Sequence, residues 1–206
     1  MKGLILKDIL NLKGSFKTLG IMLIFFSVVF ISQGNGFVFG IVIFMFAMMV
    51  ITTMSYDDLA KWDIYALTMP ITRKEMVLSK YLVMGILNSI GIVIALIVGV
   101  LGNLELGEPI GGELLVIVGA ISLIAVIISS VVIPLIYKFG AEKARLMLIL
   151  CALAPTAILL LIEQMGIPLP SIDNTWIYGV LLIAFTVVVL VISINASIKI
   201  YQKKEF

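Results

Sequence analysis

Six long apolar runs, separated by short polar stretches, dominate the pattern of hydrophobic and polar positions along the chain. Their approximate bounds are 18–32, 37–54, 81–101, 114–137, 146–162 and 176–198. Most approach the roughly 20 residues that a helix needs to cross about 30 Å of hydrocarbon. The first and fifth runs are shorter and need flanking residues or a thinner bilayer. The pattern predicts an all-α membrane protein with six transmembrane helices in a single domain, residues 1–206.

The first 17 residues follow a different pattern, in which apolar residues recur at helical spacing between lysines. The apolar positions are Leu4, Ile5, Ile9, Leu12 and Phe16. Such a segment is typical of an amphipathic helix that lies in the membrane interface, with its polar side toward lipid phosphate and water. The predicted polar side includes Lys2, Lys7, Asp8 and Lys13. The alternative is a basic N-terminus that forms no stable helix.

The longest polar stretch of the chain, residues 55–80, separates the second apolar run from the third. It contains two capping-box patterns, Ser55 with Asp58 and Thr72 with Glu75, and each pattern indicates the start of a helix. Pro70 lies between them and disfavours helical geometry at the residue before it.

These signals predict a short helix, Tyr56 to Leu67, between spans two and three. A turn from Thr68 to Ile71 follows, and a second helix begins at Thr72 and continues into the third span. The alternative is a solvated loop whose charges serve only to fix the topology.

Composition supports a membrane protein and excludes several kinds of site. The chain is 62% hydrophobic and 13% charged, whereas roughly a quarter of the residues in a soluble domain are charged. It has no histidine and one cysteine, Cys151, so we expect no disulfide, no histidine-rich metal site and no histidine proton chemistry. A phosphate-binding loop of the G-x-x-x-x-G-K-[ST] kind is missing. We therefore expect no enzyme activity and no bound cofactor or metal in this chain.

The distribution of charge predicts the orientation. All 14 basic residues fall in four regions, namely the N-terminus, the 55–80 stretch, the connection after span four and the C-terminal tail. The alternate connections carry acidic residues only: Glu105, Glu108, Glu113, Glu163 and Asp173. Because Lys and Arg stay preferentially on the cytoplasmic side, six spans with both termini in the cytoplasm are predicted.

Uncharged polar residues occur inside the predicted spans, and charged ones are missing from their middles. The polar residues are Thr52, Thr53, Asn88, Ser89, Ser122, Ser129, Ser130, Thr156, Thr186, Ser193 and Asn195. We expect them to form hydrogen bonds between helices; the alternative is a weakly polar lining of a passage. Pro134 and Pro155 are predicted to kink their helices, and Tyr81, Tyr137 and Tyr201 to form an aromatic belt at the inner interface.

Two stretches resemble a known family. They are Tyr65 to Glu75, YALTMPITRKE, followed by Ser79-Lys80-Tyr81, and the opening Met1 to Asp8, MKGLILKD. Both are similar to membrane subunits of bacterial ABC exporters of the type-two permease group, and to the permeases that export phenol-soluble modulins in particular.

The resemblance implies a half-transporter in the bacterial cytoplasmic membrane. Two permeases would pair, either as a homodimer or with a sister chain, and each would bind a separate ATPase subunit that holds ATP and Mg. The coupling segment, residues 55–71, would contact that ATPase through Asp57, Asp58, Lys61, Trp62, Asp63 and Tyr65. The implied cargo is an amphipathic peptide or a hydrophobic, lipid-like molecule, and no nucleic acid is expected.

Two other functions remain open from the residues alone. One is a membrane-embedded regulator or immunity protein that binds a peptide without transporting it. The other is a channel or secondary carrier, which would need a hydrophilic pore or a coupling residue at membrane depth.

Overall fold

The computed structural model describes residues 1–31, 37–106, 112–144, 146–147 and 175–204. The elements in these ranges are helical. They are α1 (Lys2–Asn11), α2 (Lys13–Ile31), α3 (Phe37–Leu59), α4 (Trp62–Ala66), α5 (Arg73–Leu106), α6 (Gly112–Phe139) and α7 (Thr175–Gln202).

Four of these helices, α3, α5, α6 and α7, are long and apolar enough to cross a membrane. They confirm the predicted second, third, fourth and sixth spans. The first predicted span falls on α2, which together with α1 forms a pair bent by 53° that counts as a fifth candidate. The fifth predicted span, 146–162, and Thr156 and Pro155 lie outside the described residues, apart from helical residues 146–147.

The N-terminal helix is shorter than the sequence predicted. Instead of continuing to Lys17, α1 ends at Asn11, and α2 begins at Lys13 after the bend. Leu12, between the two helices, is fully buried. The bend therefore coincides with a residue that packs into the core.

The predicted helix start at Ser55 is wrong. Helix α3 continues through this residue to Leu59, and the Ser55 hydroxyl donates to the carbonyl oxygen of Ile51 at 2.8 Å, within its own helix. The break comes at Lys61, which adopts the left-handed conformation with φ 49. The five residues of α4 follow, so the predicted single helix from Tyr56 to Leu67 is divided between α3 and α4.

The second capping box is confirmed. The Thr72 amide donates to Glu75 Oε2 at 2.9 Å, and the Glu75 amide donates to Thr72 Oγ1 at 3.2 Å. These reciprocal bonds satisfy two of the free amides at the start of α5. At its other end α5 extends to Leu106 and α6 begins at Gly112, so both helices extend beyond the predicted span bounds 81–101 and 114–137.

Helix α5 packs against α1, α3, α6 and α7, and it runs antiparallel to α3, α6 and α7. It meets α3 closely at Gly91, where an added Cβ would lie 3.1 Å from Phe46 Cβ and 3.4 Å from Ile43 Cα. Near the opposite end of α3, Lys80 of α5 bonds to Asp57. Since the order of contacts is reversed between the two helices, α3 and α5 are antiparallel.

Helices α6 and α7 run parallel to each other. The Ser193 hydroxyl of α7 donates to the carbonyl of Ser130 in α6, and the rings of Tyr137 and Tyr201 meet edge to face with centroids 5.0 Å apart. The contacting residues are 63 positions apart in the first contact and 64 in the second, since 201 − 137 = 64. A nearly constant difference means that the two helices run in the same direction. Neighbouring parallel helices require a long connection between them, because a short turn can join antiparallel neighbours only.

Most of the polar residues in the spans bond within their own helix, which differs from the expectation. The hydroxyls of Thr53, Ser122 and Thr186 donate to carbonyls three or four residues earlier. Bonds between helices are formed by Ser193 and by Tyr81, whose hydroxyl shares a hydrogen bond with Ser197 Oγ at 2.8 Å.

The predicted inner aromatic belt is also wrong for two of its members. Tyr81 and Tyr201 are buried among helices rather than placed toward lipid headgroups. Pro134 lies inside α6, which continues through it to Phe139.

Candidate functional site

Several segments that are far apart in the sequence meet at one end of the bundle, which we call the α4 end. It comprises α1, α4, the end of α3, the start of α5, and the last residues of α6 and α7. The Asp58 carboxylate accepts from the amide of Ala141 at 3.1 Å, and Arg73 donates to the carbonyl of Gln202 at 2.5 Å. Segments from the four basic regions thus share one end, as the charge distribution required.

Four charged side chains form an interior charge cluster at this end: Lys7, Asp8, Asp57 and Lys80. Lys80 Nζ lies 2.8 and 2.7 Å from the two carboxylate oxygens of Asp8 and 2.5 Å from Asp57 Oδ2. Lys7 Nζ lies 2.6 Å from Asp57 Oδ1 and 3.1 Å from Asp8 Oδ1. The cluster has two positive and two negative groups, and it joins α1, α3 and α5.

Burial makes this cluster sensitive to any change of charge. Asp8 is 1% exposed and Lys80 is 6% exposed. Taking such ions out of water is costly, and the cost is recovered only when every charge keeps its partner. The cluster therefore fixes the position of α1 against α3 and α5, because any displacement of α1 would leave a buried carboxylate or ammonium group unpaired.

The inner side of α4 is held by contacts to α1 and to the end of α7. Lys7 Nζ lies 4.4 Å from the ring centroid of Trp62, an attractive cation–π geometry. Asp63 accepts from the hydroxyl of Tyr201 at 3.0 Å and from Lys204 Nζ at 3.1 Å. A displacement of α4 would therefore act directly on the first and last helices of the described chain.

Arg73, the first residue of α5, binds the end of α7. Its guanidinium donates to the carbonyl of Gln202 at 2.5 Å and to those of Tyr201 and Lys204 at 3.3 Å. The last carbonyls of a helix have no partner within the helix and carry partial negative charge, so a cation is favourable there.

Five large apolar residues of α4 and its flanks are exposed, and we call this set the α4 surface; Asp58, Lys61 and Thr68 are exposed in the same stretch. It consists of Tyr56, Leu59, Ile64, Tyr65 and Met69. Leu59 is 82% exposed, Tyr65 66% and Ile64 51%.

The residues predicted to contact an ATPase are divided by the structure. Asp57 belongs to the interior charge cluster and is buried, so it is not available at the surface. Trp62 and Asp63 are half-buried and point toward α1 and α7. Of the remaining three, Asp58 bonds to the amide of Ala141, and Lys61 and Tyr65 are exposed. ATPase contact itself stays a prediction.

The predicted polar side of the N-terminal helix is divided in the same way. Lys2 and Lys13 are exposed, as expected for an interface helix. Lys7 and Asp8 instead face the interior, where partners on α3 and α5 bind them. A charged residue on an amphipathic helix was assumed to face water, and only the tertiary contacts reveal the exception.

Sequence reasoning missed Leu59 and Ile64, the two most exposed aliphatic residues of the α4 surface. Neither was among the residues predicted to contact an ATPase. The left-handed residue Lys61 re-aims α4 relative to α3, and a lysine in that conformation gives no sequence signal comparable to that of a glycine.

A small cleft, partly open to its surroundings, lies beside the charge cluster. Its lining includes the four clustered residues together with Asp58, Trp62, Asp63 and Lys204. Among the residues that the structure describes, no group of three or more acidic, histidine or cysteine side chains is arranged to hold a metal ion. The arrangement of this end suits recognition and mechanical linkage.

Comparison with known proteins identifies a family. The model of a family described as "ABC-2 family transporter protein" matches residues 3–202, nearly the whole chain. No curated protein matches the sequence significantly. The search of solved structures likewise returned no match.

Proposed function

Since the chain belongs to the ABC-2 family of transporter proteins, and is thus a membrane component of an ABC-2 type transporter, we propose that its α4 surface is the docking site for a separate ATPase subunit. The ATPase would bind ATP and Mg and hydrolyse the nucleotide. This chain would form the passage with a second permease, either a copy of itself or a sister chain.

The observation that carries this proposal is the position of the α4 surface. Exposed apolar residues on a membrane span need no explanation, because lipid covers them. The α4 surface differs, since it lies at the end of the bundle where Lys61, Arg73 and Lys204 are found, and such charged residues favour water over hydrocarbon. An apolar patch that faces water is typical of a protein interface, and its exposed Tyr65 is of a type enriched among binding hot spots.

The contacts beneath the α4 surface support a role in coupling. Force applied to α4 would reach α7 through the bonds of Asp63 to Tyr201 and Lys204, and α1 through Trp62 and Lys7. It would reach α5 through the interior charge cluster at the end of α3. Movement of one short helix would thus change the packing of three long elements together.

Six spans with the α4 end in the cytoplasm belong to the same proposal. Helices α6 and α7 are parallel neighbours, so the chain between them must return to the far end of the bundle, and the predicted span over 146–162 would supply that return. The basic residues gathered at the α4 end support a cytoplasmic location.

The proposed cargo is an amphipathic or hydrophobic molecule, with a membrane-active peptide as the first candidate. The support is the chemistry of the spans, in which residues 81–104 of α5 and 114–137 of α6 carry no charged residue. A strongly hydrated ion would find no charged group along these helices to replace its water.

Affinity purification from mild detergent tests the docking proposal. We expect an ATPase subunit to co-purify with the parent chain and to be lost from the Ile64→Ala, Tyr65→Ala double variant. Leu10→Ala is the matched control, because Leu10 is similarly exposed, at 57%, but lies on α1. Equal recovery of ATPase with all three proteins would contradict docking at α4, and purification of the parent without any ATPase would contradict the proposed partnership itself.

A further inference from the structure

Two buried polar atoms in the membrane-spanning helices have no hydrogen-bond partner among the described residues. They are Asn88 Oδ1 on α5 and Ser129 Oγ on α6. Asn88 is 8% exposed and Ser129 is 3% exposed. A buried acceptor without a donor loses the free energy of its hydration, and such atoms are usually bonded to ordered water or to a ligand.

The two atoms lie in the same seam of the bundle. Helices α5 and α6 are antiparallel, and their register is set near Gly99, where an added Cβ would lie 2.7 Å from Leu114 Cδ1. That register places Asn88 opposite Ala125, about one turn from Ser129. One helical turn is roughly 5.4 Å, a separation that one or two water molecules can bridge.

The same seam carries further polar groups toward the α4 end. Tyr81 lies two turns before Asn88 on the same side of α5, and its hydroxyl shares hydrogen bonds with Ser193 and Ser197 of α7. Ser193 in turn donates to the carbonyl of Ser130, next to Ser129. The cleft begins one residue before Tyr81, because Ser79 and Lys80 line it.

Polar groups therefore occur at intervals between the cleft and the middle of α5. From Lys80 to Asn88 the helix rises roughly 12 Å at 1.5 Å per residue. The polar groups near this stretch are hydroxyls of α5, α6 and α7, the Ser130 carbonyl and the Asn88 side-chain amide. Most other hydroxyls in the spans bond to a carbonyl of their own helix. Water needs two to four polar partners, and Asn88 Oδ1 and Ser129 Oγ are two that the described residues leave open.

We propose that the seam between α5, α6 and α7 is hydrated and open to the cleft at the α4 end, and that water donates to Asn88 Oδ1 and Ser129 Oγ. The seam would accept the polar part of a cargo from the α4 side. That use rests on the proposed export function, whereas hydration of the seam does not.

Cysteine labelling in membrane vesicles of both orientations tests the proposal. In a Cys151→Ala background, Asn88→Cys and Ser129→Cys are treated with the membrane-impermeant reagent sulfonatoethyl methanethiosulfonate. Ala95→Cys is the matched control, since Ala95 lies on α5 and is fully buried in apolar surroundings. Thr68→Cys, which is exposed at the α4 end, identifies the vesicles that present this end to the reagent.

We expect residues 88 and 129 to react at least roughly tenfold faster than residue 95, and only in vesicles where residue 68 reacts, because a thiol in dry apolar surroundings stays protonated and inert. Reaction as slow as at residue 95 overturns the proposal. The result is independent of any ATPase, so it is separate from the outcome of the docking experiment.

A melting experiment provides a second test that needs no cysteine substitution. If the seam were dry, Asn88→Leu would remove an unsatisfied acceptor and raise the melting temperature by roughly 2–4 °C. If water occupies the seam, no rise is expected, and an observed rise overturns hydration at Asn88. Ser122→Ala is the control, because the Ser122 hydroxyl already bonds to the carbonyl of Gly119.

Discussion

The inner and outer sides of the α4 end have opposite chemistry. On the inner side lie the charged residues of the interior charge cluster, with Asp8 1% exposed. On the outer side lie apolar residues, with Leu59 82% exposed. A water-soluble protein has the reverse distribution. The comparison indicates that the inner side is organised for a fixed geometry and the outer side for a partner that excludes water.

Removal of one charge from the inner side should have the largest effect. Lys80→Met leaves Asp8 buried without its principal partner, and we expect a loss of about 3–5 kcal/mol in the free energy of unfolding. The double variant Lys80→Met, Asp8→Leu restores charge balance and keeps the Lys7–Asp57 pair, so it should recover much of the loss. Thermal melting of the purified chain in detergent measures both. Equal losses in the single and double variants would show that the cluster does not act as a balanced unit.

The two aromatic residues of α4 test the comparison within one helix. Trp62→Ala removes a half-buried ring and its contact with Lys7, and should cost about 2 kcal/mol, less than a fully buried tryptophan would. Tyr65→Ala removes an exposed ring and should change stability by less than about 0.5 kcal/mol. Melting temperatures of the two variants give the measurement. A larger loss with Tyr65→Ala would reverse the assignment of inner and outer sides.

The smallest expected effect on the inner side concerns Arg73. Arg73→Ala removes a cation from the end of α7 and should cost about 1 kcal/mol. Arg73→Lys keeps the charge but replaces a planar group with several donors by a compact ammonium group, so an intermediate loss is expected. Amide hydrogen exchange of residues 198–204 measures the fraying of α7 directly. Unchanged exchange in the alanine variant would show that these carbonyls are satisfied without Arg73.

Sequence reasoning predicted the long helices well and the α4 end incompletely. Apolar runs are long and determined by the bilayer, so four spans were found with bounds close to those observed. The Thr72–Glu75 box was interpreted correctly because a helix does begin there. The identical pattern at Ser55 was misleading, since a serine inside a helix bonds equally well to a carbonyl four residues earlier.

The inward position of Asp57 could not be predicted from the neighbouring residues in the sequence. Its burial depends on Lys80, 23 residues away, and on Lys7, 50 residues away. The acidic residue Asp8 within a lysine-rich amphipathic segment was the one available signal, because a lone carboxylate there has no obvious role at an anionic lipid surface.

The contacts of the α4 end also imply an order of assembly during synthesis. Lys80 and Asp8 are 72 residues apart, so the interior charge cluster can form and fix α1 before α6 has left the ribosome. The bond between Tyr201 and Asp63 spans 138 residues and must wait for α7. Until then α4 lacks its contact with Tyr201, and a nascent chain captured at this stage should show α1 protected from proteolysis while the α4 backbone is still cleaved.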